Sequence, residues 1–371
     1  MFVKEKDFYC LNKLVDGILR CDIIYLVGFL TQDVDALEKF IRYINPNSII
    51  RIYDEENFYS NSSCYIINSG NSLLPVSNNR EINKKSNSFV VSDYLLDSLK
   101  KEFGILNPRE MFFELIISEH CDLNCSMCDH FSPIAEPAFL NVGECEHDLS
   151  VLSRLTNGNI GGIYLIGGEP LLNGHLVEII KIVRNYFCSA DVFLYTNGLK
   201  LFEWENKKEN LWLICKKYNI TIEVTRYPIN LDYEKIQSLS KKYGVSLNIF
   251  TNAVNRLYNG KKILVKHKLD LNGGQLNHNY MLCRQRKRCY VISEGKLFLC
   301  PTIASISHFN KYFNKDLNVT PKDYVKLSEI EDINDFIKKA NAKPDFCRYC
   351  QLNRRTMHKW SVSQKNIEEW T

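Results

Sequence analysis

No stretch of the 371-residue chain reaches the ~18 consecutive apolar residues of a membrane-crossing helix, so no transmembrane span is expected. The opening residues, MFVKEKDFYCLNKLVDG, break each short apolar stretch with Lys or Asp, which argues against a secretory leader. Neither charge sign dominates. Against 47 basic side chains stand 43 acidic ones, a net charge of +4, and nothing global points to nucleic acid or an anionic membrane. Internal repeats and low-complexity tracts are missing. With 45% hydrophobic and 24% charged residues, the composition is that of a folded domain, not a rod or a disordered tail. The expectation is a soluble, cytoplasmic protein of two or three domains.

Cysteine, by contrast, is abundant, with 14 in the chain. In a reducing compartment these are not expected to form disulfides, so clustered ones become candidates for metal ligation or catalysis. Cys121, Cys125 and Cys128 lie together, and Cys283, Cys289, Cys300, Cys347 and Cys350 gather late in the chain. Cys10, Cys21, Cys64, Cys145, Cys188 and Cys215 are scattered among apolar neighbours and read as core packing.

Apolar periodicity gives the layout. Residues 22–29 and 48–53 read as strands around a helix at 33–45, and the polar stretch Ser77–Ser88 as a surface loop. A further strand is expected at 89–92 and a helix at 94–103. From Phe112 the alternation is clearer. Strands are expected at 112–117, 162–166, 192–195, 221–224 and 246–250, with helices at 146–155, 176–187, 211–218 and 233–243 between them. Strand–helix alternation of this kind implies a parallel sheet, partial or complete as a barrel, with its active loops at strand C-termini. Cys289–Ile292 and Lys296–Leu299 then read as a hairpin around Ser293-Glu294-Gly295, and the tail beyond Cys350 as basic and weakly helical. The expected domains are 1–107, 108–260 and 261–371.

The loop after the first barrel strand carries Cys121-Asp-Leu-Asn-Cys125-Ser-Met-Cys128. Three thiolates from one loop can converge on an iron–sulfur cube and leave one iron open to another ligand. Zinc would need a fourth ligand, His120 or His130, or a catalytic water. Gly167-Gly168-Glu169-Pro170 closes the second strand and Tyr195-Thr196-Asn197-Gly198 the third.

These three segments, in this order and each at a strand end, resemble the signatures of radical S-adenosylmethionine (SAM) enzymes over about residues 111–250. The resemblance implies an α/β fold containing a partial (β/α)6-type barrel, a [4Fe–4S] cluster on the three cysteines, and S-adenosylmethionine as cofactor. It implies reductive cleavage to a 5′-deoxyadenosyl radical that takes hydrogen from a substrate, and a reductant such as flavodoxin or ferredoxin. Gly167, Gly168, Glu169, Pro170, Asn197, Thr225 and Arg226 become the implied cofactor contacts, Gly168 by bringing backbone close to the methionyl group and Arg226 by pairing with its carboxylate. Met127 stands where the family often has an aromatic residue, so adenine packing is expected to be looser or to come from Phe131. Asp129 and His130 are open to a substrate role or a plain loop role.

Cys283, Gly295, Cys300 and the Cys347-x₂-Cys350 pair resemble the SPASM/twitch extension of such enzymes, which implies one auxiliary [4Fe–4S] cluster on the four cysteines. A structural zinc on the same thiolates stays open, as does the role of Cys289. The run Arg284–Arg288 reads as a solvated loop or an attraction for an anionic substrate. The N-terminal strands resemble a degenerate Rossmann-like unit ending in Tyr53-Asp54-Glu55-Glu56. Its glycine fingerprint is reduced to Gly28, so dinucleotide binding is not expected. The expected substrate is a carbohydrate or related small metabolite, with a ribosomally made peptide as the alternative enzyme reading. A non-catalytic electron carrier or zinc module is the reading from another class.

Overall fold

The computed structural model describes residues 5–27, 31–52, 64–68, 88–91, 108–250, 256–258, 261–274, 276–283 and 289–371. The chain divides into two compact units, Met1–Ile105 and Leu106–Thr371. Among the described residues no helix is long and apolar enough to cross a membrane.

In the first unit, helix α1 (Glu5–Arg20) precedes β1 (Ile23–Val27), α2 (Thr31–Ile44), β2 (Ile49–Ile52), β3 (Cys64–Asn68) and β4 (Ser88–Val90). All strand pairs are parallel, in the order β2-β1-β3-β4. Strand order reverses at β1, the doubly wound arrangement expected of a Rossmann-like unit. The α1 helix and β3 were not read from the sequence, while Ser88, taken as the end of a loop, opens β4. Residues 77–87 and 94–103, Gly28 and the 53–56 acidic stretch lie outside the described residues.

The second unit is built on an eight-stranded sheet. Its parallel strands are β5 (Phe112–Ser118), β6 (Gly162–Gly167), β7 (Asp191–Thr196), β8 (Ile220–Thr225) and β9 (Leu247–Phe250). Helices α3 (Val142–Thr156), α4 (Leu176–Tyr186), α5 (Leu201–Glu205), α6 (Leu211–Lys217) and α7 (Tyr233–Tyr243) connect them. Their ends follow local chemistry. Asn141 caps α3 through the Glu144 N–H, Asp232 caps α7 through Lys235, and Gly244 ends α7 at φ 64°. One face of every strand is apolar. Phe113, Leu115 and Ile117 of β5 are at most 1% exposed and join Ile163, Leu194, Ile222 and the helices in one core. The opposite face lines the barrel interior.

Two further strands, β10 (Arg256–Tyr258) and β11 (Lys261–Leu269), precede helix α8 (Leu276–Leu282). The hairpin of β12 (Cys289–Ser293) and β13 (Lys296–Phe298) forms as expected, with Glu294 and Gly295 at φ 52° and 70° in its turn. Its placement was not foreseen. β12 pairs in parallel with β5, so a late segment supplies the sixth parallel strand, beside the first and not after the fifth. Residues on both sides of position 260 thus share one sheet. Helix α9 (Pro301–Phe313), β14 (Tyr324–Lys326), α10 (Ile333–Ala340) and β15 (Cys350–His358) complete the unit. The tail expected to be helical is therefore strand β15, paired antiparallel with β11. Among the scattered cysteines, Cys21, Cys145 and Cys215 are buried as expected. Cys188 is not. It follows the end of α4 and is exposed.

Candidate functional site

The three-cysteine loop leaves the C-terminal end of β5 and is held by its neighbour strand. Gly168 N–H donates to Ser118 O at 2.7 Å and Glu169 N–H to His120 O at 3.0 Å, extending the β5–β6 contact up to Cys121. Asn124 and Met127 have φ 52° and 56°, left-handed backbone that curls the loop. The thiols then share one neighbourhood. Tyr227 hydrogen-bonds Cys125 and feels the charge of all three cysteines; burial first, and then these thiols, hold its phenol well above its usual range. Burial likewise pushes Cys121 up to about 12, opposed by the Leu123 N–H and reinforced by Glu169, Cys128 and Asp122. Crowded thiols that resist ionisation in the bare protein suit a cationic iron group, which supplies the missing positive charge. The donor set therefore fits an iron–sulfur cluster.

Glu169 is fully buried, and both its oxygens are engaged by the chain. Oε1 accepts from Leu171 N–H (3.0 Å) and the Thr196 hydroxyl (2.7 Å), and Oε2 from Asn197 N–H (2.8 Å). Burial raises its carboxyl to about 7 despite those three donors. The Asn197 amide in turn donates to Asp122 Oδ1 at 2.7 Å and lies 3.7 Å from Cys121 Sγ. Glu169 thus positions Asn197 over the cysteine loop, while Pro170 opens a short 3-10 turn. A Cβ on Gly168 would stand 2.0 Å from His120 O. The glycine is needed for backbone packing beside Cys121, a reason the sequence did not show. Gly168→Ala is accordingly expected to overpack that contact at a cost of about 1–3 kcal/mol. Iron bound at the first site should fall while late-site iron is kept, as metal analysis of loaded protein would show; full first-site loading would contradict this.

Thr225 ends β8, and the Arg226 guanidinium is exposed and stacks 4.8 Å over the Tyr233 ring. Phe131, expected near adenine, is 2% exposed and packs instead with Phe309 and Trp370 in a second core. His120 sits edge-on to Phe139 with Nδ1 3.2 Å from Ser118 Oγ. His130 lies between the loop and the barrel: burial disfavours its charge, but Cys128 and Glu114 outweigh that and lift it to about 10. Asp129 faces the other way, its charge felt by Cys350.

The C-terminal residues close over the loop, which sequence reasoning missed. Trp360 Nε1–H donates to Cys125 Sγ at 3.2 Å, and its ring lies 5.8 Å from that of Tyr227. Ser126 N–H donates to Ser361 O, Ser363 N–H to Asn124 O, and Trp370 Nε1–H to Cys128 O.

Cys283, Cys300, Cys347 and Cys350 line a recess of about 560 Å³, partly open to solvent, with Ile303 and Phe346 among its apolar walls. Charge coupling links every pair of the four thiols. Burial is the main cause of the raised pKa values of Cys300, Cys347 and Cys350, about 12 for Cys300 at the N-terminus of α9. Cys289 couples to Cys283 and Cys300 of this set and hydrogen-bonds Glu114. Among the described residues no three His, Cys, Asp or Glu side chains close on a point as the ligands of one metal ion do. Ligands of a four-iron cube stand farther apart, each on its own iron. Arg284–Arg288 lie outside the described residues.

A family model described as a 4Fe-4S single cluster domain matches residues 113–246, which hold strands β5 to β8. GTP 3',8-cyclase of Campylobacter fetus is 21% identical over 260 residues, covering 66% of this chain and 76% of its own length. Both matches agree with the resemblance of this chain to radical SAM enzymes. The family model's description agrees with the [4Fe–4S] cluster that the resemblance implies. GTP 3',8-cyclase of Nautilia profundicola is 25% identical over 150 residues, and there the chain spans only 46% of the relative's length. A structure of BtrN with AdoMet and 2-DOIA aligns over 70% of this chain and 96% of its own at 15% identity and a TM-score of 0.39. Streptococcus suis SuiB with its precursor peptide aligns over 67% and 69% at 13% identity and a TM-score of 0.29.

Proposed function

We propose that this enzyme binds its first cluster through Cys121, Cys125 and Cys128 and transforms a carbohydrate or related small metabolite inside the barrel. The observation that carries the first half is the electrostatic grouping of the three thiols around Tyr227, beside the Gly167–Glu169 segment. When bound, the cluster and S-adenosylmethionine supply a 5′-deoxyadenosyl radical, the hard chemistry that side chains cannot perform. The chain's part is orientation and shielding. Gly167, Gly168, Glu169 and Pro170 form the turn next to Cys121, with Glu169 setting Asn197 in place. Thr225 and Arg226 lie at the end of β8, where a hydroxyl and a guanidinium would suit ribose oxygens and a carboxylate. Trp360 and Tyr227 cover the loop with apolar surface that limits water.

Cys283, Cys300, Cys347 and Cys350 would hold an auxiliary [4Fe–4S] cluster, with a flavodoxin or ferredoxin as the electron source. A small-molecule substrate is supported by the polar barrel interior and by curated relatives named for a reaction of GTP. The test is direct. Anaerobically loaded wild-type protein, reduced with dithionite, should convert S-adenosylmethionine to 5′-deoxyadenosine. Protein that holds only zinc and forms none would overturn the proposal.

A further inference from the structure

Along β5, side-chain alternation that sends Phe113, Leu115 and Ile117 into the core turns Phe112, Glu114 and Ile116 to the barrel interior. Tyr164, Tyr195, Glu223 and Asn248 occupy the same face on the following strands. The rings of Tyr164 and Tyr195 meet edge-to-face at 5.3 Å, and Tyr195 stacks on Phe250. Both phenols are held above their usual range, chiefly by burial and then by neighbours including Glu114, Glu223 and Cys289. These groups form one electrostatic neighbourhood, with two buried carboxyl groups and, at the edge of Glu114, the His130 imidazole.

Each carboxyl group in it has one oxygen without a hydrogen bond. Glu114 is 6% exposed; its Oε2 makes no hydrogen bond, and its nearest cationic group, His130 Nε2, stands 3.7 Å away. Glu223 is 2% exposed; Oε1 accepts from the neutral Asn248 amide at 2.8 Å, and Oε2 has nothing. Leaving a buried carboxylate oxygen bare is costly, and a fold retains such groups where a ligand completes them. The strand residues on this face between Phe112 and Phe250 include no Lys or Arg. A hydroxyl would give one hydrogen bond and leave the charge uncompensated. A protonated amine gives several donors and a charge, and the tyrosine rings offer it a favourable π face.

We propose that Glu114 and Glu223 form a subsite inside the barrel that binds a protonated amino group of the substrate. This deepens the reading above and rests on it, since it takes the barrel interior as the place where substrate is held. It narrows the substrate class to amine-bearing small polar molecules, such as amino sugars, over neutral polyols.

The experiment is calorimetry at pH 7 on anaerobically loaded protein with S-adenosylmethionine, using glucosamine against glucose and cyclohexylamine against cyclohexanol as probes. Each amine should bind at least about tenfold tighter than its neutral counterpart, the worth of one charge-assisted hydrogen bond. In Glu223→Gln that preference should collapse, and in Glu114→Gln it should shrink. Glu223→Gln should also melt no lower than wild type, because it removes a buried uncompensated charge; a carboxylate kept only for structure would not behave so. Equal binding of amine and neutral probes, no saturable amine binding, or an unchanged preference in both variants would overturn the subsite. Deoxyadenosine formation by the same wild-type preparation separates the two failures. Protein that forms it without amine preference refutes the subsite alone, and protein that forms none refutes the radical-site assignment.

Discussion

Protein with Cys121, Cys125 and Cys128 all changed to Ala is expected to release no detectable 5′-deoxyadenosine under conditions where the wild type does. Iron at the late cysteines should be unaffected. The separation follows from placement. The three cysteines come from one loop, held at its base by the end of β6 and covered by Trp360 and Tyr227. The late thiols come from other segments: Cys283 just beyond α8, Cys300 at the start of α9, and Cys347 and Cys350 around a 3-10 turn. None of those segments depends on the loop cysteines for its backbone hydrogen bonds. Removing three thiols therefore deletes one iron site and leaves the other. Product chromatography and iron analysis on one preparation read both outcomes. Deoxyadenosine from the triple variant, or loss of all its iron, would reject the assignment.

The barrel strands were legible because each carries the same two-faced code. On β8, Ile222 and Val224 are fully buried toward the helices, while Glu223 between them turns inward. Apolar alternation reports the first face faithfully, so strand positions from 112 to 250 could be read within a residue or two. It says nothing of what the inward residues do together, because Glu114, Tyr164 and Glu223 are far apart in sequence and meet only when the sheet curls. The pairing of β12 with β5 was hidden for the same reason. A strand's composition shows that it needs a partner, not which one, and Cys289–Ser293 reads equally well as an isolated hairpin arm.

Around the cysteine loop the spacing of thiols and glycines was informative, whereas its cover was not. Ser361 and Ser363 engage the loop through backbone groups, which leave no trace in side-chain pattern. One signal was available. Of only four tryptophans, two, Trp360 and Trp370, fall in the last dozen residues, where a solvated tail would have little use for them. Tyr227 gives no such signal, because a tyrosine just beyond a strand end shows nothing in sequence of a hydrogen bond to a cysteine about a hundred residues earlier. Phe131 was misplaced because its neighbour in sequence, the cysteine loop, is not its neighbour in space; Phe309 and Trp370 are.

Replacing Cys347 and Cys350 together should have the largest effect on the late site. Fully loaded wild type is expected to hold about eight irons, two four-iron cubes, and the double variant about four. All four thiols face one recess, so none of its ligands leaves an iron open and the group there would brace the fold or relay electrons. Its loss should also be felt mechanically. Cys347 and Cys350 sit where the 3-10 turn Asp345–Tyr349 passes into β15, which pairs with β11, and Asn279 of α8 donates to Cys347 O at 3.0 Å. Without the metal group, three segments lose their common tie, and the region beyond Pro344 should be cut by protease at lower concentrations than in wild type. Turnover of the true substrate should be abolished. Deoxyadenosine formation without substrate should persist in part, because the loop cysteines and β5 to β9 do not pass through this recess. Mössbauer spectroscopy with metal analysis decides among the ions. Four irons and one zinc in the wild type would keep a structural role for the four thiolates and remove the electron-relay role, since zinc has no second oxidation state to offer.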